Sequence, residues 1–250
     1  MTAPVFVVDR ARLSAGAEVL LDGPEGRHAA TVRRLLVGEA LVLTDGSGLV
    51  AQCIARAVKG TEVRCEVVAR QEVSAPSPRL VVVQALPKGE RGETAVETLT
   101  EVGVDEIVPW SAGRCVARWT GERGDRSVAR WRSAAREAGK QSRRSWFPVV
   151  ADLASTPVVA ARLRGAALAV VLHESAALSL ASVTVPASGE VVVVVGPEGG
   201  LTDDELAVFA AVGAAAHRLG DSVLRTSTAG TVAAAVLLAR TTRWTTASGC

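Results

Sequence analysis

The sequence predicts a two-part α/β protein, in which a small β-barrel precedes a mostly parallel β-sheet that helices cover on both faces. Two observations lead to this prediction. In the N-terminal part, short strands follow one another closely and are separated by turn signals such as Asp45-Gly46-Ser47-Gly48, which is typical of small barrels. Beyond the proline-containing stretch Ser74–Pro78, apolar strands alternate with helices, which is typical of parallel sheets.

The N-terminal part is predicted to contain short strands and one helix. The strands are runs rich in β-branched and other apolar residues, bounded by Gly, Pro, Asp and Lys. They are predicted at Val5–Val8, Glu18–Leu21, Ala40–Thr44, Leu49–Ala55 and Glu62–Val68. The helix is predicted over Glu25–Leu36, because Ala29, Val32 and Leu36 recur there at helical spacing. This part is predicted to form a domain over residues 1–72, followed by a linker over residues 73–78.

The C-terminal part, residues 79–250, shows buried-type strands between amphipathic helices. Strands are predicted at Leu80–Ala85, Glu106–Trp110, Ala167–Leu172 and Val191–Val195. Helices are predicted at Glu90–Val102, Asp125–Lys140, Pro157–Leu163, Thr202–Val212 and Thr228–Arg240. The fourth of these helices opens with Thr202-Asp203-Asp204-Glu205, which is a capping-box pattern.

Composition limits the classes of function. The chain has 250 residues, of which 48% are hydrophobic, so a sizeable core is expected and global disorder is not. The four cysteines form no Cys-x-x-Cys pair and no His lies at metal spacing, so no metal site is expected. The most apolar run, Val191–Val195, is far too short to span a bilayer. We therefore expect no membrane partner, and reduced cysteines in a cytoplasmic compartment.

The charge of the chain is unevenly distributed. The net charge is only +2, but residues 114–144 contain ten Arg or Lys residues against three Asp or Glu residues. Arg132, Arg136 and Lys140 share one helical stripe within this segment. A local excess of positive charge is expected where a protein contacts a phosphate backbone, so this segment predicts binding of RNA. The interleaved tryptophans, Trp119, Trp131 and Trp146, are predicted to be core residues.

The loop Gly196-Pro197-Glu198-Gly199-Gly200 follows a buried strand and precedes the capped helix. Ligands of open α/β sheets bind at the carboxyl ends of strands, and glycines allow close approach of a ligand to the backbone. The pattern is neither the dinucleotide fingerprint nor a Walker P-loop. Spacing alone leaves two interpretations open, a ligand site and a plain strand–turn–helix corner. Two further strand ends are candidates to meet this loop. One carries Leu172-His173-Glu174, and the other carries Leu219-Gly220 and Leu224-Arg225-Thr226.

Several short motifs occur in order along nearly the whole chain and resemble one known family. Taken with His28 and Arg34, they are Lys88-Gly89-Glu90, Glu101-Val102-Gly103-Val104, Arg114-Cys115, Gln141-Ser142-Arg143-Arg144, Gly196-Pro197-Glu198-Gly199-Gly200-Leu201 and Leu224-Arg225-Thr226. The set resembles the 16S ribosomal RNA (uracil-N3)-methyltransferase family of the SPOUT superfamily. The glycine loop and the Leu-Arg-Thr motif at this separation are the specific elements.

The resemblance implies a fold, a cofactor and partners. It implies a PUA-like barrel followed by a SPOUT methyltransferase domain with a C-terminal trefoil knot, acting as a homodimer. The implied reaction is transfer of a methyl group from S-adenosylmethionine to N3 of a uridine in 16S rRNA of the small ribosomal subunit. Two alternatives are kept: a non-catalytic RNA-binding or ribosome-assembly protein, and a SPOUT methyltransferase acting on a ribose 2′-hydroxyl or on another base.

The resemblance also implies three sets of site residues. The cofactor is expected at Leu172, His173, Glu174, Gly196, Pro197, Glu198, Gly199, Gly200, Leu219, Gly220, Leu224, Arg225 and Thr226. RNA is expected at Arg10, His28, Arg33, Arg34, Lys88, Arg114, Gln141, Arg143 and Arg144. The candidates for catalysis are Arg225, Arg144 and Arg34, because a guanidinium beside the uracil carbonyls would stabilise the imide anion formed when N3 loses its proton.

Three positions depart from the family pattern. Ser227 stands where Glu is usual, Thr98 where Lys is common, and Lys140 where Glu is common. The first departure removes a carboxylate that was a candidate for accepting the N3 proton.

Overall fold

The computed structural model describes residues 3–89 and 91–245, which form two compact units. The first unit comprises the described residues through Ala75 together with Gly139–Phe147. The second comprises Pro76–Ala138 and the described residues from Pro148 onward. The sequence predicted a single domain boundary at residues 73–78. The observed division differs, because the first unit also includes Gly139–Phe147, which lies much later in the sequence.

The first unit is built on a curled five-stranded sheet with the strand order β1-β3-β4-β5-β2. The strands are β1 (Val5–Val7), β2 (Glu18–Leu21), β3 (Ala40–Thr44), β4 (Leu49–Lys59) and β5 (Glu62–Glu72). Alternate residues of these strands, such as Leu41, Leu43 and Val63, are buried in one core. Cys53 and Cys65 belong to this core, and burial raises the pKa of Cys53 to about 11 and that of Cys65 to about 12. Both thiols therefore stay protonated near neutral pH.

The helix predicted over Glu25–Leu36 is wrong in its second half. A short helix α1 (Arg10–Ser14) precedes β2, and α2 spans only Gly23–Arg27 before the chain continues as one π-helical turn, His28–Val32. Ala29 is buried as predicted, but Val32 and Leu36 are 69% and 65% exposed. The backbone leaves helical geometry at Arg34, whose φ is 53°. As a result Leu35 rather than Leu36 enters the core.

The segment Gly139–Phe147 completes the first unit. Gly48 N donates to Ser145 O at 2.9 Å, Phe147 N donates to Gly46 O at 2.8 Å, and the Trp146 indole donates to Val73 O at 2.9 Å. A Cβ atom at Gly46 would lie 2.9 Å from the Phe147 ring, and one at Gly48 would lie 2.8 Å from the Trp146 ring. The absence of a side chain at Gly46 and Gly48 therefore allows the rings of Phe147 and Trp146 to pack directly on the first unit.

The second unit contains a seven-stranded parallel sheet with the order β10-β12-β9-β11-β6-β7-β8. Its strands are β6 (Arg79–Ala85), β7 (Glu106–Trp110), β8 (Val149–Val150), β9 (Leu168–Leu172), β10 (Leu178–Ser179), β11 (Glu190–Val195) and β12 (Ala215–Arg218). Its helices are α3 (Arg91–Val102), α4 (Gly121–Gln141, whose last three residues belong to the first unit), α5 (Thr156–Gly165), α6 (Asp203–Ala211), α7 (Thr226–Leu238) and α8 (Thr242–Thr245). The predicted parallel sheet is confirmed, and the trefoil knot stays a prediction.

The core of this sheet runs through β11 and β6, where every residue of Val191–Val195 is at most 2% exposed. Trp131 is buried as predicted, and Trp119 packs edge-on against it with ring centroids 5.0 Å apart. At the amino ends of the strands, Arg162 forms ion pairs with Glu106 at 2.6 Å and Glu190 at 3.0 Å. At the opposite edge of the sheet, loops follow the carboxyl ends of the strands.

Candidate functional site

The loops after β9, β11 and β12 enclose a pocket of about 550 Å³ within the second unit. Its wall is formed by residues of all three loops, with contributions from β9, β11, β12, α3, α6, α7 and the segment that contains Arg114. The lining residues are Arg91, Arg114, Leu172, His173, Glu174, Val195, Gly196, Pro197, Glu198, Gly199, Gly200, Leu201, Asp203, His217, Leu219, Gly220, Ser222, Val223, Leu224, Arg225, Thr226 and Ala229. Every residue that the sequence predicted for a cofactor site is in this set, so the structure brings all of them together. Their role in binding stays a prediction.

The glycine loop is held in shape by its own backbone and by Arg114. Gly200 adopts a φ of 73°, a conformation that favours glycine, and its N–H donates to Pro197 O at 2.9 Å. The Arg114 guanidinium donates to Gly199 O at 3.2 Å and to Leu201 O at 2.9 Å. Arg114 was predicted to contact RNA, but in this structure its side chain supports the loop that lines the pocket.

A buried carboxylate fixes the other end of the same loop. Glu205 is 5% exposed and closes the predicted capping box, accepting from Thr202 N at 2.9 Å while Thr202 Oγ1 accepts from Glu205 N at 3.1 Å. Its second carboxylate oxygen accepts from Gly113 N at 2.7 Å. Because Gly113 and Arg114 are consecutive, one short stretch of chain binds both the loop and the start of α6.

Arg225 lies where the pocket wall meets the first turn of α7. Its carbonyl accepts from Thr228 N and Ala229 N, each at 2.9 Å, so its backbone caps the helix. Its side chain is exposed, lines the pocket, and forms no hydrogen bond or ion pair with any described residue. The guanidinium is therefore available to a ligand.

Helix α7 is fixed against the sheet beneath this arginine. The Gln84 side chain, fully buried at the end of β6, donates to Thr226 O at 3.3 Å, and its carbonyl oxygen has no partner among the described residues. A Cβ atom at Gly230 would lie 3.2–3.4 Å from side chains of α3, β6 and β11. Ser227, the departure from the family pattern, is 9% exposed and does not line the pocket.

Sequence reasoning missed four polar pocket residues, Arg91, Asp203, His217 and Ser222. His217 is 6% exposed and lies on β12, a four-residue strand of the sequence Ala-Ala-His-Arg that has no apolar alternation to reveal it. Arg91 lies 3.6 Å from Glu198 in an ion pair at the pocket wall, and Asp203 is the first residue of α6. The capping-box motif was the available signal for Asp203, because it places the helix start beside the loop.

The other two candidates for catalysis, Arg34 and Arg144, lie in the first unit and do not line this pocket. Arg144 Nε donates to Trp146 O at 2.7 Å. Arg34 is exposed, with the positive φ described above, and its side chain has no hydrogen-bond or ion-pair partner among the described residues.

The remaining predicted RNA contacts differ in their availability. Arg10 forms ion pairs with Asp45 at 2.8 Å and Glu72 at 2.6 Å, and Arg143 donates to Ala3 O at 3.1 Å. The His28 ring packs edge-on against Phe6, with centroids 5.8 Å apart. Arg33, Lys88 and Gln141 are exposed.

The basic segment 114–144 is less available than its composition suggests. Lys140 was predicted on a phosphate-facing stripe, and this is wrong: its side chain is 5% exposed and its Nζ lies 3.2 Å from the carboxylate of Glu25, inside the first unit. Arg132 is paired with Asp152 at 2.8 Å. The side chains of Arg118 and Arg123 are exposed and have no hydrogen-bond or ion-pair partner in the part of the chain that the structure describes.

Neither a metal site nor a membrane span is found in the described ranges. Residues 3–89 and 91–245 contain no group of three or more His, Cys, Asp or Glu side chains that could hold a metal ion. Within the same ranges, every helix is too short or too polar to cross a bilayer. Burial raises the pKa of the Cys115 thiol above its ordinary value.

Comparisons with known proteins identify two RNA methyltransferase domain models along this chain. Residues 74–238 match the model of an RNA methyltransferase domain, and residues 21–68 match that of an RNA methyltransferase PUA domain. The chain is 45% identical over 256 aligned positions to the ribosomal RNA small subunit methyltransferase E of Mycobacterium tuberculosis, covering 100% of this chain and 97% of that protein. It is 28% identical to the protein of the same name from Bacillus subtilis, covering 84% and 85%.

Two solved structures are similar over nearly the whole chain. One is a methyltransferase from Legionella pneumophila in complex with the cofactor SAM, with a TM-score of 0.86 and 26% identity, covering 96% of this chain and 99% of that one. The other is the ribosomal RNA small subunit methyltransferase E of Neisseria gonorrhoeae bound to S-adenosyl methionine, with a TM-score of 0.84 and 27% identity, covering 95% and 97%.

Proposed function

This chain belongs to the family of ribosomal RNA small subunit methyltransferase E, and from that premise we propose that it transfers a methyl group from S-adenosylmethionine to N3 of a uridine in small-subunit rRNA. The observation that carries the proposal is the gathering of three strand-end loops, with all the predicted cofactor residues, around one pocket. RNA methylation rests on the family. The choice of N3 rests on the motifs that resemble the uracil-N3 enzymes.

The pocket fits S-adenosylmethionine in size and in chemistry. A volume of about 550 Å³ lies within the range of small-molecule sites. Leu172, Leu219 and Leu224 offer apolar contacts to a flat adenine ring, while the glycine loop leaves backbone N–H and C=O groups within reach of polar atoms. When bound, the donor supplies an electrophilic methyl group on its sulfonium.

The role proposed for Arg225 follows from what N3 of uracil requires. This nitrogen carries a proton and becomes a good nucleophile only as the imide anion, whose charge resides largely on the carbonyl oxygens. A guanidinium aimed at those oxygens stabilises the anion and helps to orient the base. Among the three arginines considered, Arg225 lines the pocket and has no competing partner in the described residues. No dedicated base is assigned, and water is proposed to take the proton.

Mass spectrometry of nucleosides tests the proposal. Small-subunit rRNA from cells lacking the enzyme is incubated with the full chain and S-adenosylmethionine, then digested to nucleosides. We expect 3-methyluridine to appear. A 2′-O-methyl nucleoside or another methylated base would identify a different target atom, and binding of RNA without any methyl transfer would indicate a non-catalytic protein.

Gly199→Val is expected to lower the affinity for S-adenosylmethionine by about tenfold or more, because overpacking a fixed loop costs roughly 1–3 kcal/mol. A Cβ atom at this position would lie 3.1 Å from Arg114 Cβ and 3.3 Å from Arg114 O, so the loop and the segment that supports it must separate. Titration calorimetry measures the effect. Gly165→Val is the control, because a Cβ atom at Gly165 meets open space. If both variants bind S-adenosylmethionine with equal affinity, the glycine loop is not part of the donor site.

Binding of RNA is expected to depend strongly on salt. If about four phosphates are neutralised, the logarithm of the affinity should fall with the logarithm of salt concentration at a slope of about −3 to −4. The exposed arginines without partners among the described residues, including Arg33, Arg34, Arg118 and Arg123, are proposed to contribute most. Fluorescence anisotropy at several salt concentrations gives the slope, and a value near zero would show that these arginines are only solvated.

We propose three further properties on the same basis. The chain acts in the cytoplasm, where rRNA and the small subunit are found, and its partner is the rRNA of that subunit. It forms a homodimer. Two exposed apolar side chains offer a surface for the second copy: Val223, which lines the pocket and is 81% exposed, and Val232, which lies on α7 and is 38% exposed. Sedimentation at micromolar concentration tests the dimer.

A further inference from the structure

One surface of the first unit combines exposed apolar side chains with arginines. We call it the Arg27–Val37 surface and define it by Arg27, Val32, Arg33, Arg34, Leu36 and Val37. Its three apolar side chains, on Val32, Leu36 and Val37, are 69%, 65% and 64% exposed. Single exposed apolar residues are common, but a cluster of them within six positions of the chain marks a candidate interaction site.

The backbone holds these side chains outward in a defined conformation. The π-helical turn is closed by Arg33 N donating to His28 O at 2.9 Å, and Leu35 N donates to Ala29 O at 3.0 Å. Leu35, which is 4% exposed, anchors the segment in the barrel core, and Leu36 N donates to the Glu39 carboxylate at 2.9 Å. Arg34 adopts a positive φ, a strained conformation for a residue with a side chain. π-Helical turns and strain of this kind occur often at functional sites.

The charge of the surface is unbalanced. Three arginines and no Asp or Glu occur between Gly26 and Gly38, and the carboxylate of Glu39 accepts from Leu36 N and not from an arginine. The side chains of these arginines form no hydrogen bond or ion pair with any residue that the structure describes. Several other arginines of the same unit are engaged, namely Arg12 with Asp22, Arg56 with Glu66, and Arg70 with backbone carbonyls, whereas Arg64 is exposed and has no side-chain partner among the described residues. The positive charge of this surface is therefore left for an external anion.

We propose that the Arg27–Val37 surface binds an unpaired stretch of the rRNA substrate, with Val32, Leu36 and Val37 packed against exposed base faces and the arginines on the flanking phosphates. This inference rests on the proposed function and names the structural class of its substrate. A duplex presents phosphates but hides its base faces, so it would use the arginines and leave the apolar side chains in water. Unpaired RNA exposes base faces as well as phosphates, so it can use both sets of side chains, and sequence-specific recognition of RNA mostly targets such unstacked bases.

The test compares two RNAs of equal phosphate number, a single strand and a blunt duplex, by fluorescence anisotropy with the full chain. The triple variant Val32→Ser, Leu36→Ser, Val37→Ser is expected to bind the single strand about tenfold more weakly. Its affinity for the duplex and the salt slope for both RNAs should stay as in the wild type. The double variant Arg33→Gln, Arg34→Gln should weaken both RNAs and make the salt slope shallower by about two.

Matched controls come from the same unit. Leu20 and Val68 are 41% and 59% exposed on other strands, so Leu20→Ser with Val68→Ser removes exposed apolar area elsewhere, and Arg64→Gln removes an exposed arginine elsewhere. Binding of S-adenosylmethionine, whose pocket lies in the second unit, and thermal unfolding show that each variant is folded.

Two outcomes would overturn the inference. The triple variant could bind the single strand as tightly as the wild type, or it could change the sedimentation of the protein while leaving RNA binding intact, which would make the surface a protein interface. The proposed function is judged separately by methyl transfer. A wild-type chain that binds RNA but transfers no methyl group refutes that function alone.

Discussion

Arg225→Ala is expected to lower the rate of methyl transfer by about 10²–10³-fold, the usual cost of removing one preorganised donor from a developing anion. The affinity for S-adenosylmethionine should change much less. The substitution leaves the cap of α7 intact, because the carbonyl that accepts from the N–H groups of Thr228 and Ala229 belongs to the backbone of residue 225. The exposed side chain contributes no hydrogen bond or ion pair within the described residues, so stability should also stay close to that of the wild type.

Single-turnover methylation of small-subunit rRNA across a pH series measures this effect. Arg225→Lys keeps the charge but loses the planar pair of donors, and it should fall between the wild type and the alanine variant. Arg218→Ala is the control, because Arg218 lies at the end of β12 and pairs with exposed Asp221 at 3.3 Å. For the wild type the rate should rise with pH as more of the uracil imide ionises. If Arg225→Ala leaves the rate of methyl transfer nearly unchanged, another group stabilises the imide anion.

Ser227→Glu is expected to destabilise the protein by about 3 kcal/mol, although it restores the residue that is usual in the family, because a buried carboxylate without a partner is costly. Ser227 is 9% exposed in the first turn of α7, next to the packed contact between α7 and α3. One turn later, Thr231 Oγ1 lies 2.8 Å from Thr98 Oγ1 of α3. Residues 227 and 231 share a helix face, so the two departures at Ser227 and Thr98 fall at one helix–helix contact.

The resemblance implies Lys at 98 and Glu at 227, where this chain has small hydroxyl side chains. Opposite charges on α3 and α7 near the Thr98–Thr231 contact would form an ion pair. We therefore expect the double variant Thr98→Lys, Ser227→Glu to recover much of the stability that Ser227→Glu loses. Chemical denaturation of both single variants and the double variant gives the coupling energy. Ser227→Ala, the volume-matched control, should cost less than about 1 kcal/mol. Independent, additive effects would contradict the pairing.

The same comparison separates structure from chemistry at position 227. A carboxylate that takes the N3 proton would raise the rate of the folded Ser227→Glu variant strongly. A carboxylate that only joins two helices would leave the single-turnover rate of the double variant close to that of the wild type. We expect the second result, since Ser227 does not line the pocket.

The candidate site was largely predictable because its residues follow strong strand signals. Val191–Val195 and Leu168–Leu172 are buried apolar runs, and parallel pairing places the loops that follow them at one edge of the sheet. His217 was not predictable, because β12 owes its place to pairing with β9 and not to its own sequence pattern. Periodicity also failed at Glu25–Leu36. Apolar residues at helical spacing do not reveal a backbone that changes direction at Arg34, which leaves Val32 and Leu36 exposed.

The discontinuity of the first unit has a consequence for the order in which the chain is made. Translation delivers residues from the N-terminus, so the five strands of the barrel emerge before the segment that covers Gly46 and Gly48 exists. Until Trp146 and Phe147 have left the ribosome, the glycine turn lacks the aromatic rings that pack on it and Val73 O lacks its indole donor. The barrel therefore completes its folding only after more than half of the chain has been synthesised. An isolated fragment that ends at the linker would lack all of these contacts.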